Sequence, residues 1–499
     1  VNLRDDGGGD GFNESRRDSA EDHPAAAESY LSVAVLPFED QSATSDQQFM
    51  ADGFVEEISN ALMRSPDFDV IDWNSVYLAT RTPADYRSLS ERLDSRYLLA
   101  GSVALSGDPL RITARLMDGE TGNRLWGDSF SRTINSSNLL DVQGAIAHEI
   151  ASRAAEAVGV REPTRFSQNR LPANALSTEA QASFLRGMYH LRQMQVMNEL
   201  PEGVFEKARA NLENAIVEAP EYADAYFALG TAYSFHVTRH PFDDEDWEAL
   251  FDRASYYLER AIELDPNHAR AYAMRAFVRH RWRLDFDGAA EDYQRAMSLG
   301  VGGDVHWGLA MFLSNTGQFE ESVHHYTEAL RLDPLNYGIM TQRAHTMACA
   351  GQFEESIAQW EQLYSDLPEM EVARGALVAL YALTGQLEKS AQMMDSGPDS
   401  EPNVYSKMLL LAKSGRKDEA EELIETVTSR ENFDVFPVAG TLVELGEKQR
   451  ALDYLEAAVK SDPKSMLGIQ WWYQPLADEP RFQRLLDEIG FPSWARVPQ

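Results

Sequence analysis

The sequence predicts two unlike parts. A small α+β domain, a mixed sheet in the order β-α-β-α-β-β-β-α, precedes an all-α superhelix of repeated helix pairs. Three observations carry this. The segment from Leu31 to about Gly159 places short apolar runs between turn residues and helical patterns. Further along, Gly317, Gly351 and Gly385 recur every 34 residues. The chain is also long enough for both parts, with 499 residues of which 43% are hydrophobic. At roughly 150 residues per domain that is about three domains, or one array and a companion.

Charge and composition exclude several functions. The 45 Lys and Arg face 80 Asp and Glu, a formal net charge of −35. Non-specific nucleic-acid binding needs clustered cations to neutralise phosphates, so direct binding is not expected. No apolar run approaches the 18 or so residues of a membrane span. A single cysteine, Cys349, excludes an intrachain disulfide framework and any paired-cysteine zinc site. The opening Val-Asn-Leu-Arg-Asp-Asp has no signal-peptide pattern, so the chain is expected to be a fragment or a processed form.

Residues 1–29 mix glycine, aspartate and alanine with few apolar side chains, and are expected to form a disordered linker. A domain is expected over 30–160. Leu31–Phe38 reads as a buried strand, and Asp46–Arg64 as a helix through Phe49, Phe54, Ile58 and Leu62. Phe68–Trp73 alternates and predicts a second strand, and Tyr86–Leu93 a short helix. Arg96–Ser106, Leu110–Met117 and Arg124–Ser131 are strands joined by hairpin chemistry at Gly107-Asp108-Pro109 and Gly119–Asn123. Leu139–Val158 closes the domain as an amphipathic helix, and the polar stretch 161–176 is a linker.

Thr316–Ser322, Ala350–Ser356 and Thr384–Ser390 are near-copies, and Pro334 and Pro368 keep the same 34-residue spacing. That period is the signature of the tetratricopeptide repeat, two helices per unit with glycine in the turn between them. Pro220, Pro266, Gly415 and Gly446 mark looser units, giving about eight over 177–464. Residues 465–499, with Trp471–Pro492, are expected to cap the last unit.

The strings SVAVLPFED, FMADGFVEEISNAL, SRYLLAGSV and RITARLMDGETGNRLWGDSFSR, with the helix IAHEIASRAAEAV, resemble the TolB amino-terminal-like domain. With the repeats behind it, the chain is similar over about Leu31–Pro492 to the outer region of bacterial membrane-integrated transcription regulators. Some class III adenylate cyclases carry the same pair. The resemblance implies a non-catalytic sensory or interaction region on the periplasmic side of the inner membrane. Its anchor would lie upstream, and its partner would be a protein or peptide, self-association included. Two other readings stand beside it: a free-standing adaptor scaffolding an envelope or cytoplasmic complex, and the regulatory half of a nucleotide cyclase.

Motifs for chemistry are sparse. No phosphate loop, dinucleotide fingerprint, nucleophile elbow or zinc-protease motif is present. Gly127-Asp128-Ser129 matches an esterase box but falls inside a strand. His236 and His240 have ligand spacing, yet Pro241 breaks it, and a polar helix end entering an acidic loop is expected. His324-His325 is expected at the surface and Cys349 as an inert packing residue. No catalytic residue, metal site or cofactor is expected.

The concave face of the array is the candidate site. By analogy with the repeat family, first-helix positions 2, 5, 9, 12 and 13 line it. The second unit contributes Asp224, Phe227, Thr231 and Phe235. The third contributes Arg270, Phe277, His280 and Arg281, within the cationic run Arg279–Arg283. The fourth contributes Trp307, Met311 and Asn315, and the fifth Thr341 and His345. Aromatic anchors among cations suit an acidic or carboxylate-bearing peptide.

Overall fold

The computed structural model describes residues 31–42, 48–63, 65, 67–105, 109–133, 139–160, 177–196, 201–239, 247–300, 302–397, 401–430, 433–462 and 470–496. The linkers expected over 1–29 and 161–176 lie outside them, as does the acidic loop after Arg239.

The first domain is a mixed sheet covered on both faces. Its strands are β1 (Leu31–Val35), β2 (Glu39–Asp40), β3 (Phe68–Val70), β4 (Tyr97–Leu105), β5 (Pro109–Asp118) and β6 (Arg124–Thr133). The order is β3-β1-β4-β5-β6, with β2 also pairing β4. The pairs β1–β3 and β1–β4 are parallel, whereas β4–β5 and β5–β6 are antiparallel hairpins. Helices α1 (Gln48–Met63) and α4 (Leu139–Ala157) pack on one face. There Phe54, Val55, Ile58 and Ile150 meet Val33, Val35, Leu99 and Ile112. Helices α2 (Trp73–Thr80) and α3 (Tyr86–Leu93) cover the other face with Val76, Ala79, Leu89 and Leu93. Gly101 is required by close approach: a Cβ there would stand 2.3 Å from the Thr113 carbonyl oxygen and 2.5 Å from the Phe38 ring.

The strand expected over Phe68–Trp73 stops at Val70, and Trp73 begins a helix instead. The Asp72 carboxylate accepts the Asn74 N–H at 2.9 Å and caps α2. Alternation of Phe68, Val70 and Ile71 with aspartates concealed that cap.

Among the described residues, eight helix pairs follow. They are α5 (Thr178–Val196) with α6 (Val204–Glu218), α7 (Ala223–Arg239) with α8 (Trp247–Leu264), and α9 (Ala269–Val278) with α10 (Phe286–Leu299). A π-helical turn, Arg279–Arg283, extends α9. Next come α11 (Gly303–Asn315) with α12 (Phe319–Leu332), α13 (Tyr337–Cys349) with α14 (Phe353–Asp366), and α15 (Glu371–Leu383) with α16 (Leu387–Asp395). The last pairs are α17 (Glu401–Lys413) with α18 (Lys417–Thr428), and α19 (Val435–Glu444) with α20 (Lys448–Ser461).

The periodic residues have a shared mechanical role. Gly317, Gly351, Gly385, Gly415 and Gly446 all have φ between 74° and 85°, which only glycine adopts without strain. The next residue's N–H reaches back five residues, as from Gln318 to the Leu313 carbonyl and from Gln352 to that of Met347. This is the Schellman stop that ends a helix and turns the chain. A second periodic tie joins the two helices of a unit. Ser322, Ser356 and Ser390 donate their hydroxyls to the carbonyls of Ala310, Ala344 and Val378 at 2.7–2.8 Å.

The array returns on itself. A 3-10 turn, Gln470–Leu476, leads to α21 (Pro480–Ile489), whose buried Phe482, Leu485 and Leu486 cover the last pair. Beyond it, the Phe491 ring stacks on Phe286 of the third unit, centroids 4.9 Å apart. Both rings are almost fully buried. Phe491→Ala is therefore expected to cost about 3–5 kcal/mol. It should speed hydrogen exchange in α21 and in α10 together; urea unfolding with exchange mass spectrometry measures both.

Candidate functional site

The candidate residues separate into a polar rim, an aromatic wall and buried structural groups. At the rim, Asp224 lies 3.3 Å from His268 Nε2. Phe227 is buried, with the Arg270 guanidinium 4.9 Å above its ring centroid. Arg270 also pairs with Asp304 at 2.7 Å. These residues carry the start of three consecutive first helices, α7, α9 and α11, which stacking places side by side.

The wall is deeper along the same helices. Phe277 stacks on Trp307 with centroids 5.7 Å apart, and Met311 packs in the same cluster. Trp307 is half-buried, and its Nε1 donates to Gln342 Oε1 at 3.0 Å. Phe277 itself is 8% exposed, so it is a core residue with one edge in the groove rather than the exposed aromatic the register implied. Phe235 is half-buried against the core of the first unit.

Arg281 is half-buried in the middle of the π-helical turn. Burial lowers its pKa, and the charge of Asp462 on the far side of the closing array opposes the shift. Its neighbours in the cationic run are compensated: Arg279 pairs with Asp285 and Asp292, and Arg283 with Asp252. Trp282 stacks on Phe251 at 4.3 Å.

Three candidates turn into the cores. Thr231 is buried and donates to the Phe227 carbonyl, and Asn315 is buried. His280 is fully buried, with Nδ1 3.1 Å from the Ala276 carbonyl oxygen, and burial pushes its pKa down to about 3. Thr341 donates to the Gly338 carbonyl, and His345 lies with Nδ1 3.8 Å from Cys349 Sγ. Burial lowers His345 to about 4 and raises the Cys349 thiol to about 12, which keeps the thiol protonated and unreactive. The expectation that His324-His325 is superficial holds for His324 alone. His325 is 7% exposed, and its Nδ1 lies 2.8 Å from that of buried His306, whose pKa burial lowers to about 4.

Residues beyond the expected set join the sheet domain to the rim. Ser75 donates its hydroxyl to Asp333 at 2.5 Å, and Asn74 Nδ2 reaches the same carboxylate at 3.2 Å. In return Ser75 Oγ accepts the Leu335 N–H at 2.8 Å, and the Asp72 N–H bonds the Leu332 carbonyl at 2.6 Å. Arg192 of α5 pairs with Glu56 of α1 and stands 5.3 Å over the Trp73 ring. Arg331 pairs with Asp69. Asp72 is exposed at the surface, but protein atoms crowd its carboxylate; desolvation first, then the charge of Asp333, raises its pKa. Enclosure pulls Arg270 down, but Asp304, Glu56 and Asp72 outweigh it and raise its pKa. These cross-domain partners are 136 to 260 or so residues apart in sequence, so no local pattern announces them.

Catalytic geometry does not assemble around the esterase-like box. Ser129 lies mid-strand opposite Thr113, and the neighbouring Asp128 carboxylate takes its N–H. Among the described residues, no group of three or more His, Cys, Asp or Glu could hold a metal ion.

Comparison with known proteins gives matches in both parts of the chain. Residues 28–149 match the family described as HilA/YgeH-like transcriptional regulator, second domain. Residues 303–334 match the tetratricopeptide repeat, and 160–276 match the plant-specific mitochondrial import receptor subunit TOM20. The chain is 28% identical over 198 residues to "Putative adenylate cyclase 3" of Rhizobium meliloti, covering 40% of this chain and 32% of that protein. It is 24% identical over 292 residues to anaphase-promoting complex subunit 3 of Schizosaccharomyces pombe, covering 51% and 43%. Thus the chain spans less than half the length of these relatives. Among solved structures, YrrB, a tetratricopeptide protein with an unusual peptide-binding site, aligns at 20% identity and a TM-score of 0.31. That alignment covers 43% of this chain and 97% of YrrB. The chain is a repeat protein with a regulator-like domain ahead of the repeats.

The buried histidines fix a pH dependence. His280, His306 and His345 are held at about 3, 4 and 4, below the ordinary 6.5 of an exposed imidazole. A depressed value means the unfolded chain takes up protons first, so the stability contribution is full above 6.5 and lost as pH falls towards 4. Thermal melting at pH 7 and pH 4.5 should show a lower Tm in acid. His280→Gln should flatten that difference; an unchanged one means another group dominates.

Proposed function

We propose that this chain is the non-catalytic partner-binding region of a bacterial membrane-anchored signalling or transcription regulator. It would work on the periplasmic side of the inner membrane and bind a peptide or protein through the repeat groove. The observation that supports it best is the wall of Phe277, Trp307 and Met311 on first helices of consecutive units, with Arg281 on the turn that extends α9. Such a wall offers apolar anchoring, and the guanidinium prefers a carboxylate. The match of residues 28–149 to a regulator domain, and the resemblance of the same segment to TolB-like domains, favour the regulator. No described helix is long and apolar enough to cross a membrane, so the anchor is part of the proposal.

A second reading rests on the Rhizobium meliloti relative, of which this chain spans a third. In it the chain is the regulatory half of a nucleotide cyclase, with the same groove taking the controlling partner. The upstream gene sequence separates the two, as a winged helix and span, or a cyclase domain.

Groove binding is testable on the protein as it stands. Peptides selected from a random array should carry a carboxylate near an apolar side chain. Arg281→Glu combined with Trp307→Ala should weaken their binding about thirty-fold by calorimetry, the equivalent of roughly 2 kcal/mol for hot-spot anchors. Equal binding by a folded double variant would remove the groove as the site. Purified chain should convert no ATP to cyclic nucleotide.

A further inference from the structure

Three arginines from three different units converge on one side of the sheet domain. Arg192 comes from the first unit, Arg270 from the third and Arg331 from the fourth. Two of them pair directly with carboxylates of the sheet domain, and the third reaches such carboxylates at longer range. Arg192 pairs with Glu56 and Arg331 with Asp69, while Arg270 pairs with Asp304 of its own array and has Glu56 and Asp72 only within electrostatic reach. In a chain of net charge −35, a convergence of cations on one surface needs a reason. The stacking of units supplies the geometry, because it brings residues 139 positions apart onto one rim.

The contact they make has the character of a reversible interface. Its anchors are hydrogen bonds and ion pairs: Ser75 and Asn74 on Asp333, Leu335 on Ser75, Arg192 on Glu56 and Arg331 on Asp69. Its apolar part is modest. Leu335 adds to the cluster of Val76, Ala79 and Leu89 and is itself only partly buried. At Gly53 the α1 backbone lies close to the Leu185 side chain of α5, 3.0 Å from a Cβ placed there. Polar interfaces between domains of one chain resemble transient complexes and open more readily than cores. Arg192 also lies over Trp73, so the cis occupant offers an aromatic ring beside its carboxylates.

We propose that Arg192, Arg270 and Arg331 form a receptor for acidic protein segments, occupied in cis by the sheet domain, which a trans partner must displace. The fitting partner carries two or more carboxylates next to an aromatic side chain, the arrangement that Asp69, Asp72 and Trp73 now present. This surface meets the groove only at Arg270; Arg192 and Arg331 lie outside the groove set, so the proposal goes beyond the groove reading. Displacement would couple binding at the rim to release of the domain that resembles those of regulators. The coupling is reciprocal: a change that holds the domain down must weaken the trans partner by the same factor.

The test uses the full chain and a defined probe, hexaglutamate ending in one tryptophan, followed by fluorescence anisotropy. Glu56→Lys with Asp69→Lys and Asp72→Lys should release the domain. Hydrogen exchange should then rise in α2 and at Leu332–Asn336, and the probe should bind at least tenfold more tightly than to the wild type. Adding Arg192→Glu, Arg270→Glu and Arg331→Glu should restore protection and abolish probe binding. Arg192→Glu with Arg331→Glu alone leaves the sheet domain's own sequence intact; it should release the domain without gaining the probe. Arg281→Glu should leave probe binding unchanged, which separates this surface from the aromatic wall. The proposal is overturned if the arginine variant keeps α2 protected, or if the domain is released in the lysine variant and the probe still does not bind. Equal probe affinity in wild type and released chain overturns it as well.

Discussion

The apolar face that each helix pair leaves uncovered is the constraint from which this architecture follows. A pair such as α11 and α12 buries Leu309, Leu313, Tyr326 and Ala329, yet its outer side needs the next pair. Stacking answers that need at every step and adds a small rotation each time. After enough units the rotation brings the end of the chain back to the third unit, where Phe491 meets Phe286. An end that is otherwise an exposed apolar surface is thus closed by the array itself. The same rotation lines up the first helices and creates both the aromatic wall and the arginine rim.

The sheet domain depends on this curvature. Its contacts reach α5 of the first unit and the turn between α12 and α13, two places a straight stack would hold apart. Asp333 is the pivot, because its carboxylate accepts from Ser75, Asn74 and Asn336 at once. A buried carboxylate so supplied with donors is satisfied; stripped of them, it would be costly. The functional surfaces therefore belong to both domains together. The sheet domain borders the rim, where Arg270 and Asp304 stay partly exposed, and the wall lies deeper along the same first helices.

Local chemistry made much of this legible. Glycines at 34-residue spacing announce the turns, and each adopts the left-handed backbone that demands glycine. The strands β4, β5 and β6 fall within two residues of the runs that predict them, since their alternation and turn residues agree. The serine at Ser322, Ser356 and Ser390 was visible as a repeat letter, but not its bond to the facing helix. Helix α2 was hidden because Asp72 reads equally as a strand residue and as a cap. Burial of His325 depends on His306 across the pair, and burial of Phe227 and Phe277 on neighbouring units. The docking of Asp333 on Ser75 joins segments with no shared pattern. Positional analogy found the wall and part of the rim, and missed every partner supplied by the other domain.

The claim that both domains form one assembled surface is tested most directly by a distance. Spin labels at Met63 and Val372, both at least half exposed, report on the sheet domain and on the sixth unit. They would be introduced as cysteines in a Cys349→Ser background and measured by double electron–electron resonance at pH 7. A single narrow distance distribution is the result this structure predicts. A broad distribution, as expected for two bodies swinging on a tether, would contradict it.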